Sequence, residues 1–132
     1  MTHADPRYSD EGRRRFRELP GAGDLSGHGG IFEGCAGDRE QGAQVRLQLR
    51  YERGRVVEAR FRAFGCPHFL AGASWLTERL QGATSADLDS WDWREAVDAL
   101  QVPPAKFARF VTLQDAVRDA ARNWRGATGS TV

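Results

Sequence analysis

The segment from Val45 to Ala63 reads VRLQLRYERGRVVEARFRA, and this segment decides the fold. Apolar and polar residues alternate on both sides of a turn around Gly54, and this period of two is typical of half-buried strands. The two halves therefore pair as an antiparallel hairpin. One face is apolar and the other carries arginines, which predicts a sheet covered on one side only.

The chain after the hairpin changes to a helical period. Phe64-Gly65-Cys66-Pro67 ends the second strand, and apolar residues then recur at helical spacing as far as Leu80. Proline suits the first position of a helix, so Cys66 is predicted at the N-cap, and Gly82 ends the helix. Two more helices are predicted, one from Ser90 to Leu100 and one that begins near Thr112.

The glycine-rich stretch before the hairpin, from Gly21 to Gly42, is predicted as a loop with a brief edge strand at Ile31-Phe32. A short basic helix is expected over Tyr8–Arg17. With 132 residues, the chain is predicted to be one domain over residues 1–132, structured over about 8–125, with flexible termini. Strands first and helices after indicate an α+β fold, a small antiparallel sheet of about three strands with helices packed on one face.

Composition excludes several classes of function. Nineteen basic residues against 18 acidic ones leave a net charge of +1, which gives no reason to expect a nucleic acid or an acidic membrane as partner. No apolar run is long enough to span a bilayer and no secretory signal is visible, so the expected compartment is the cytoplasm. Neither a phosphate-binding glycine loop nor a serine elbow occurs, and the chain is predicted not to be an enzyme.

Four side chains are candidate metal ligands. Cys66 at a helix N-terminus faces the positive end of the helix dipole, which favours the thiolate, and His68 follows two residues later. Cys35 and Asp38 lie three residues apart in the glycine-rich stretch. Two sulfurs, one oxygen and one nitrogen suit zinc or an iron–sulfur cluster. The alternative is that Cys66 is a small buried residue without chemistry.

Several segments together resemble the U-type iron–sulfur cluster assembly scaffolds, the IscU/NifU N-terminal family. The resemblance covers about Tyr8 to Arg125. It is carried by Tyr8-Ser9, Leu19-Pro20-Gly21, Val45–Leu49, Val57–Phe61 with Phe64-Gly65-Cys66, Ala71–Ser74, Val102-Pro103-Pro104-Ala105-Lys106 and Leu113–Val117. The order and spacing of these segments agree with the α+β prediction.

The resemblance implies a function and partners. Such scaffolds assemble a [2Fe–2S] cluster on three cysteines with the help of an aspartate. A cysteine desulfurase supplies the sulfur, apo iron–sulfur proteins receive the cluster, and an Hsp70-type chaperone binds the loop that corresponds here to Val102, Pro103, Pro104, Ala105 and Lys106. The resemblance assigns Cys66 to the second ligand position, and Cys35 with Asp38 to the first ligand and the aspartate.

This sequence departs from the family pattern at the ligands. The third cysteine and its neighbouring histidine are replaced by Arg109 and Ala108. The first cysteine stands one place early, and an alignment without an inserted loop gives that position to Gln41 instead. Two hypotheses follow: a scaffold with Cys66, Cys35, Asp38 and His68 as ligands of iron or a cluster, completed by a homodimer, or an interaction module that has lost the cluster. A zinc protein with the same four ligands is a third.

Overall fold

The computed structural model describes residues 18–27 and 30–127. Three strands form one antiparallel sheet in the order β1-β2-β3, with β1 at Ile31–Asp38, β2 at Ala43–Glu52 and β3 at Arg55–Phe64. The helices are α1 at Pro67–Arg79, α2 at Ser85–Ser90, α3 at Arg94–Leu100 and α4 at Phe107–Ala127. Short 3-10 turns lie at Arg39–Gln41 and Pro104–Lys106. The predicted α+β fold is confirmed.

The hairpin of β2 and β3 forms as predicted, with Leu47 opposite Phe61 and a bulge next to Tyr51. Most of the alternate residues that face inward are buried, and α4 covers β1 and β2 while α1 covers β3 on that face. We call this the inner face of the sheet, and the face that carries the arginines the outer face. Helices therefore lie on one side, as the alternation predicts.

The first strand is much longer than the brief Ile31-Phe32 strand predicted. All eight residues from Ile31 to Asp38 pair with β2. Gly34 weakens the strand signal in the sequence. It takes an inner-face position where a Cβ atom would lie 2.2 Å from the carbonyl oxygen of Ala116. The glycine permits close contact with α4, so packing selects a residue that local propensity assigns to a loop.

The predicted starts of two helices are wrong. A capping box at Thr84 and Asp87 begins α2, which ends at Ser90, and α3 follows separately from Arg94. The last helix begins at Phe107 rather than near Thr112, because the 3-10 turn at Pro104–Lys106 leads directly into it. The predicted helix Tyr8–Arg17 lies outside the described residues, and the extent of the single domain stays a prediction.

A segment before β1 lies along the edge of β3 and then over the outer face. Gly21 and Gly23 exchange backbone hydrogen bonds with Phe61 at the edge of β3. The next four residues, Asp24–Gly27, contact β2 and β3 side chains, so we call them the crossing segment. The outer face is therefore free of helices but not bare in the described part of the chain.

Candidate functional site

The sequence-predicted ligands are distributed around one end of the sheet. Asp38 ends β1 and Ala43, its pairing partner, begins β2. Phe64 ends β3 opposite Gln44, so Cys66 follows at the same end. Because β2 lies between β1 and β3, the backbones of Asp38 and Cys66 are about two strand spacings apart, or about 10 Å.

Cys66 occupies the position predicted for it. It is the N-cap of α1, in extended conformation with φ −72° and ψ 166°, and Pro67 is the first helical residue. Its carbonyl oxygen accepts the first helical hydrogen bond, from the amide of Leu70 at 3.0 Å, whereas its side chain makes no capping hydrogen bond. The thiol is half-buried beside the core and not in a disulfide. A soft ligand is thus held at a rigid helix start with access to solvent.

His68 lies within the first turn of α1, two residues after Cys66. It is only 7% exposed, in contrast to the half-buried thiol. Solvent therefore reaches the thiol of Cys66 more readily than the imidazole. The role predicted for His68 as a nitrogen ligand stays a prediction.

Asp38 has a structural role in the turn that follows β1. Its Oδ1 accepts a 2.7 Å hydrogen bond from the amide of Glu40 and caps the 3-10 turn at Arg39–Gln41. The carboxylate is exposed at the end of the sheet. Its position is compatible with a ligand role on the side of Cys66, because residues 32, 34, 36 and 38 of a strand share one face.

Cys35 faces the other way. Residues three apart in a strand point to opposite faces, so Cys35 and Asp38 do not face one ion as predicted. Cys35 lies on the outer face opposite Arg46, and its amide donates a 2.8 Å hydrogen bond to Asp119 of α4. Partial desolvation raises the pKa of the Cys35 thiol, and the nearby carboxylates of Glu33 and Asp119 add to this effect.

The predicted four-ligand set is consequently not brought together. Within residues 18–27 and 30–127, no three His, Cys, Asp or Glu side chains lie close enough to hold one metal ion. The strand at β1 explains this result, because the sequence predicted this part of the glycine-rich stretch as a loop with only a brief edge strand at Ile31-Phe32. It is instead a regular strand that fixes Cys35 on the far side of the sheet.

Arg109 closes this end of the molecule. It lies in the first turn of α4, and its Nη1 donates a 2.9 Å hydrogen bond to the carbonyl oxygen of Gln41 in the 3-10 turn. The guanidinium also packs against Gly42, where a Cβ atom would lie 3.1 Å from Nη2. It forms no ion pair with a carboxylate of the described residues, so a pairing with Asp38 is absent there.

The proline segment between α3 and α4 is only partly accessible. Val102 is 7% exposed and belongs to the core, whereas Pro104 and Ala105 are exposed. Pro103 has an extended backbone, whereas Pro104–Lys106 form a 3-10 turn. A partner that binds this segment would meet a turn rather than a strand.

Sequence reasoning missed the part that α4 plays at the edge of β1. The Asp119 carboxylate and the Asn123 side-chain amide bond the amide of Cys35 and the carbonyl of Glu33, so they satisfy the edge of the strand. The sequence carries no signal for these contacts, because they join residues far apart in the chain and both residues occupy ordinary polar positions of a helix.

No helix among the described residues is both long and apolar enough to cross a membrane.

Comparison with known proteins gives consistent matches along the chain. Residues 8–131 match the family described as "NifU-like N terminal domain". The chain is 29% identical over 119 residues to the "Iron-sulfur cluster assembly protein IscU" of Plasmodium falciparum, covering 89% of this chain and 74% of that protein. It is 28% identical over 100 residues to the "Iron-sulfur cluster assembly scaffold protein IscU" of Azotobacter vinelandii, covering 75% and 78%.

Solved structures share the fold. The N-terminal part of a NifU-like protein from Brucella abortus superposes with a TM-score of 0.66 at 17% identity, covering 89% of this chain and 94% of that one. A protein from Fervidobacterium islandicum, titled a putative iron–sulfur cluster assembly scaffold for the SUF system, gives 0.65 at 16% identity, covering 86% and 96%. At such identities the likeness extends to the fold alone.

Proposed function

Since this chain belongs to the NifU-like N-terminal domain family, we propose that it acts in iron–sulfur cluster assembly as a scaffold anchored on Cys66. Its cargo is iron or a labile [2Fe–2S] cluster. The protein binds and passes on this cargo and catalyses no reaction of its own. The single observation that carries the proposal is the half-buried Cys66 thiol at the N-cap of α1, without a capping hydrogen bond.

The donor set fits iron only in part. A thiolate is a preferred ligand of iron in clusters, and the exposed Asp38 carboxylate at the same end of the sheet supplies a weaker oxygen ligand. Cys35 is on the outer face and is not the second ligand in this conformation. A second copy of the chain, with its own Cys66, is therefore the source we propose for the missing thiolate. A shared, incomplete site holds its cargo weakly, which suits a donor.

Reconstitution with ferrous iron and sulfide under anaerobic conditions tests this function. We expect visible cluster absorption with matching iron and acid-labile sulfide, and a shift from monomer to dimer by sedimentation. The Cys66→Ser variant is expected to lose all three signals, whereas Cys35→Ser keeps them and is the matched control. Full cluster content in Cys66→Ser, or loss in Cys35→Ser alone, would contradict the assignment.

A second function is favoured by Arg109. Its guanidinium stands in the third ligand position and bonds the Gln41 carbonyl, which adds a fixed positive charge where the family has a thiolate. In this alternative the chain carries no cluster and serves as an interaction module for a cysteine desulfurase or an Hsp70-type chaperone. The exposed Pro104 and Ala105 are its contact to the chaperone.

Reconstitution separates the two functions, because the interaction module stays colourless and binds no iron. A binding titration with an Hsp70-type chaperone then tests the alternative directly. We expect Pro104→Ala to weaken binding, and Ala105→Ser to have a smaller effect. The cytoplasm stays the predicted compartment, although relatives from two fungi are named mitochondrial proteins.

A further inference from the structure

A groove of about 650 Å³ opens at the end of the sheet where β1 and β3 terminate, and its lining includes outer-face residues together with the inner-face residues Ala36, Val45 and Ala63. Two cross-strand rows form its floor. Gly37, Gln44 and Phe64 make the first row, and Cys35, Arg46 and Arg62 make the second. Arg39 from the 3-10 turn adds a wall. The proposed scaffold function uses none of the side chains in this groove.

The groove carries excess positive charge. Arg46 and Arg62 are direct cross-strand neighbours, an arrangement of like charges that is unfavourable by itself. Asp24 of the crossing segment compensates them, since its Oδ1 accepts hydrogen bonds from Arg46 Nη2 at 2.8 Å and from Arg62 Nε at 2.9 Å. Two of the three guanidiniums thus share one carboxylate and Arg39 has none. Among the described residues no aspartate or glutamate lines the groove, and only Asp24 pairs with its arginines.

An exposed aromatic ring lies beside these charges. Phe64 is 43% exposed, and the guanidinium carbon of Arg39 stands 4.8 Å from the centre of its ring. Arg39 forms no ion pair with the described residues, and 61% of the Arg62 side chain is exposed, so both retain donors for an incoming acceptor. Aromatic residues and arginines are enriched where proteins bind one another.

We propose that this groove binds an acidic, extended segment of a partner protein, whose carboxylates pair with Arg39 and Arg62 and whose apolar side chain packs on Phe64. Asp24 shows the mode of contact within the chain itself, because one carboxylate oxygen bridges two of the arginines. Bidentate guanidinium–carboxylate pairs add direction to such contacts. Neither Cys66 nor Asp38 lines the groove, so the test does not depend on the cargo.

Charge spacing favours a peptide over a nucleic acid. Glu33 and Glu58 stand on the same outer face beyond the groove, where Gln48 and Arg50 bond them. A phosphate backbone with one charge per nucleotide would meet these carboxylates, whereas a peptide can place its charges over the arginines alone. The net charge of +1 agrees with this distinction.

Fluorescence anisotropy with the full chain tests the proposal. The probes are labelled acidic peptides that carry one leucine at different positions, together with glutamine-substituted versions of the same peptides. We expect saturable binding of an acidic probe. The Arg39→Gln/Arg62→Gln variant should weaken it at least tenfold, which corresponds to about 1.4 kcal/mol. Phe64→Ser, which keeps every charge, should also weaken it severalfold.

The Arg53→Gln/Arg55→Gln variant removes the same charge at the opposite end of the hairpin and is the control. We expect less than about a twofold change there, because salt screens distant exposed charges. The single variant Arg39→Gln keeps both hydrogen bonds of Asp24. Weaker peptide binding in this variant would therefore reflect a lost contact to the peptide and not a disturbed crossing segment. Absence of saturable binding, equal weakening in the control, or displacement of the peptide by single-stranded DNA would overturn the proposal.

Discussion

A hydrogen bond between Arg109 and Gln41 joins the last helix to the sheet. The Arg109 guanidinium, at the start of α4, donates a 2.9 Å hydrogen bond to the Gln41 carbonyl in the turn between β1 and β2. These residues are 68 positions apart, so the bond holds a local turn against the last helix. A cysteine at position 109 could not make this contact, because a thiol is too short to span it.

Replacing Arg109 with methionine tests this tether. The substitution keeps most of the side-chain length and removes the donor, so we expect the 3-10 turn at Arg39–Gln41 to open more often. The free energy of unfolding should fall by about 1 kcal/mol, as for a typical hydrogen bond. Hydrogen exchange at the Gly42 amide, which donates to the Arg39 carbonyl, should accelerate.

Arg122→Met is the control for that measurement. Arg122 lies on the same helix, and its ion pair with Asp119 spans one helical turn with most of the side chain exposed. We expect it to change stability by a few tenths of a kcal/mol and to leave Gly42 exchange unchanged. Equal exchange rates at Gly42 in wild type and Arg109→Met would show that the tether contributes nothing.

A second prediction concerns restoration of the family ligands. Ala36 takes the position of the first family cysteine when Gly37 and Asp38 are aligned, and it shares the inner face with Val45 and Ala63. The double variant Ala36→Cys/Arg109→Cys therefore adds two thiolates on the side of Cys66. We expect it to hold more iron per chain than wild type, and to hold it as a monomer.

The double variant Ala36→Ser/Arg109→Ser is the matched control, since it changes the same two side chains without adding soft ligands. Iron content and absorption after anaerobic reconstitution measure the effect, and sedimentation gives the state of assembly. No gain in iron over the serine variant would mean that positions 36, 66 and 109 do not converge.

Much of this arrangement follows from the sequence, and the exceptions have physical causes. Alternation predicts β2 and β3, and Pro67 predicts the N-cap at Cys66, because both signals are local. The orientation of Cys35 depends on β1 being a strand, which only the packing of Gly34 on α4 reveals. The bond of Arg109 to Gln41 joins distant segments, so no window of sequence contains it.

A third prediction follows from Glu95, which joins α3 to α1. Partial burial by itself would raise the pKa of Glu95. Hydrogen bonds from Arg79 and Trp91 outweigh this effect and lower the pKa below its ordinary value of 4.5. The unfolded chain therefore binds a proton at a higher pH than the folded chain does. Stability from this carboxylate is present above about pH 4.5 and is lost as pH falls through the folded pKa.

Glu95→Gln should therefore be less stable than wild type at pH 7, and the difference should shrink as pH falls from about 5 to 3. Urea unfolding at a series of pH values measures it. Gln81→Ala, at an exposed residue without a titratable group just after α1, is the control, and we expect a nearly constant offset from wild type. A difference for Glu95→Gln that grows on acidification would contradict the assigned direction.

A fourth prediction tests the close contact that makes β1 a strand. A Cβ atom at Gly34 would lie 2.2 Å from the Ala116 carbonyl oxygen and 2.5 Å from the Ala120 amide nitrogen, both backbone atoms of α4. Gly34→Ala must therefore move the helix away from the sheet, and we expect a loss of about 2 kcal/mol or more in the free energy of unfolding, as for overpacked cores.

Gly126→Ala is the control, since a Cβ atom there meets nothing within 4 Å and alanine favours a helix. Because the Asp119 bond to the Cys35 amide depends on the same helix position, Gly34→Ala should also speed hydrogen exchange at that amide. Wild-type stability in Gly34→Ala would mean that α4 does not lie directly on β1.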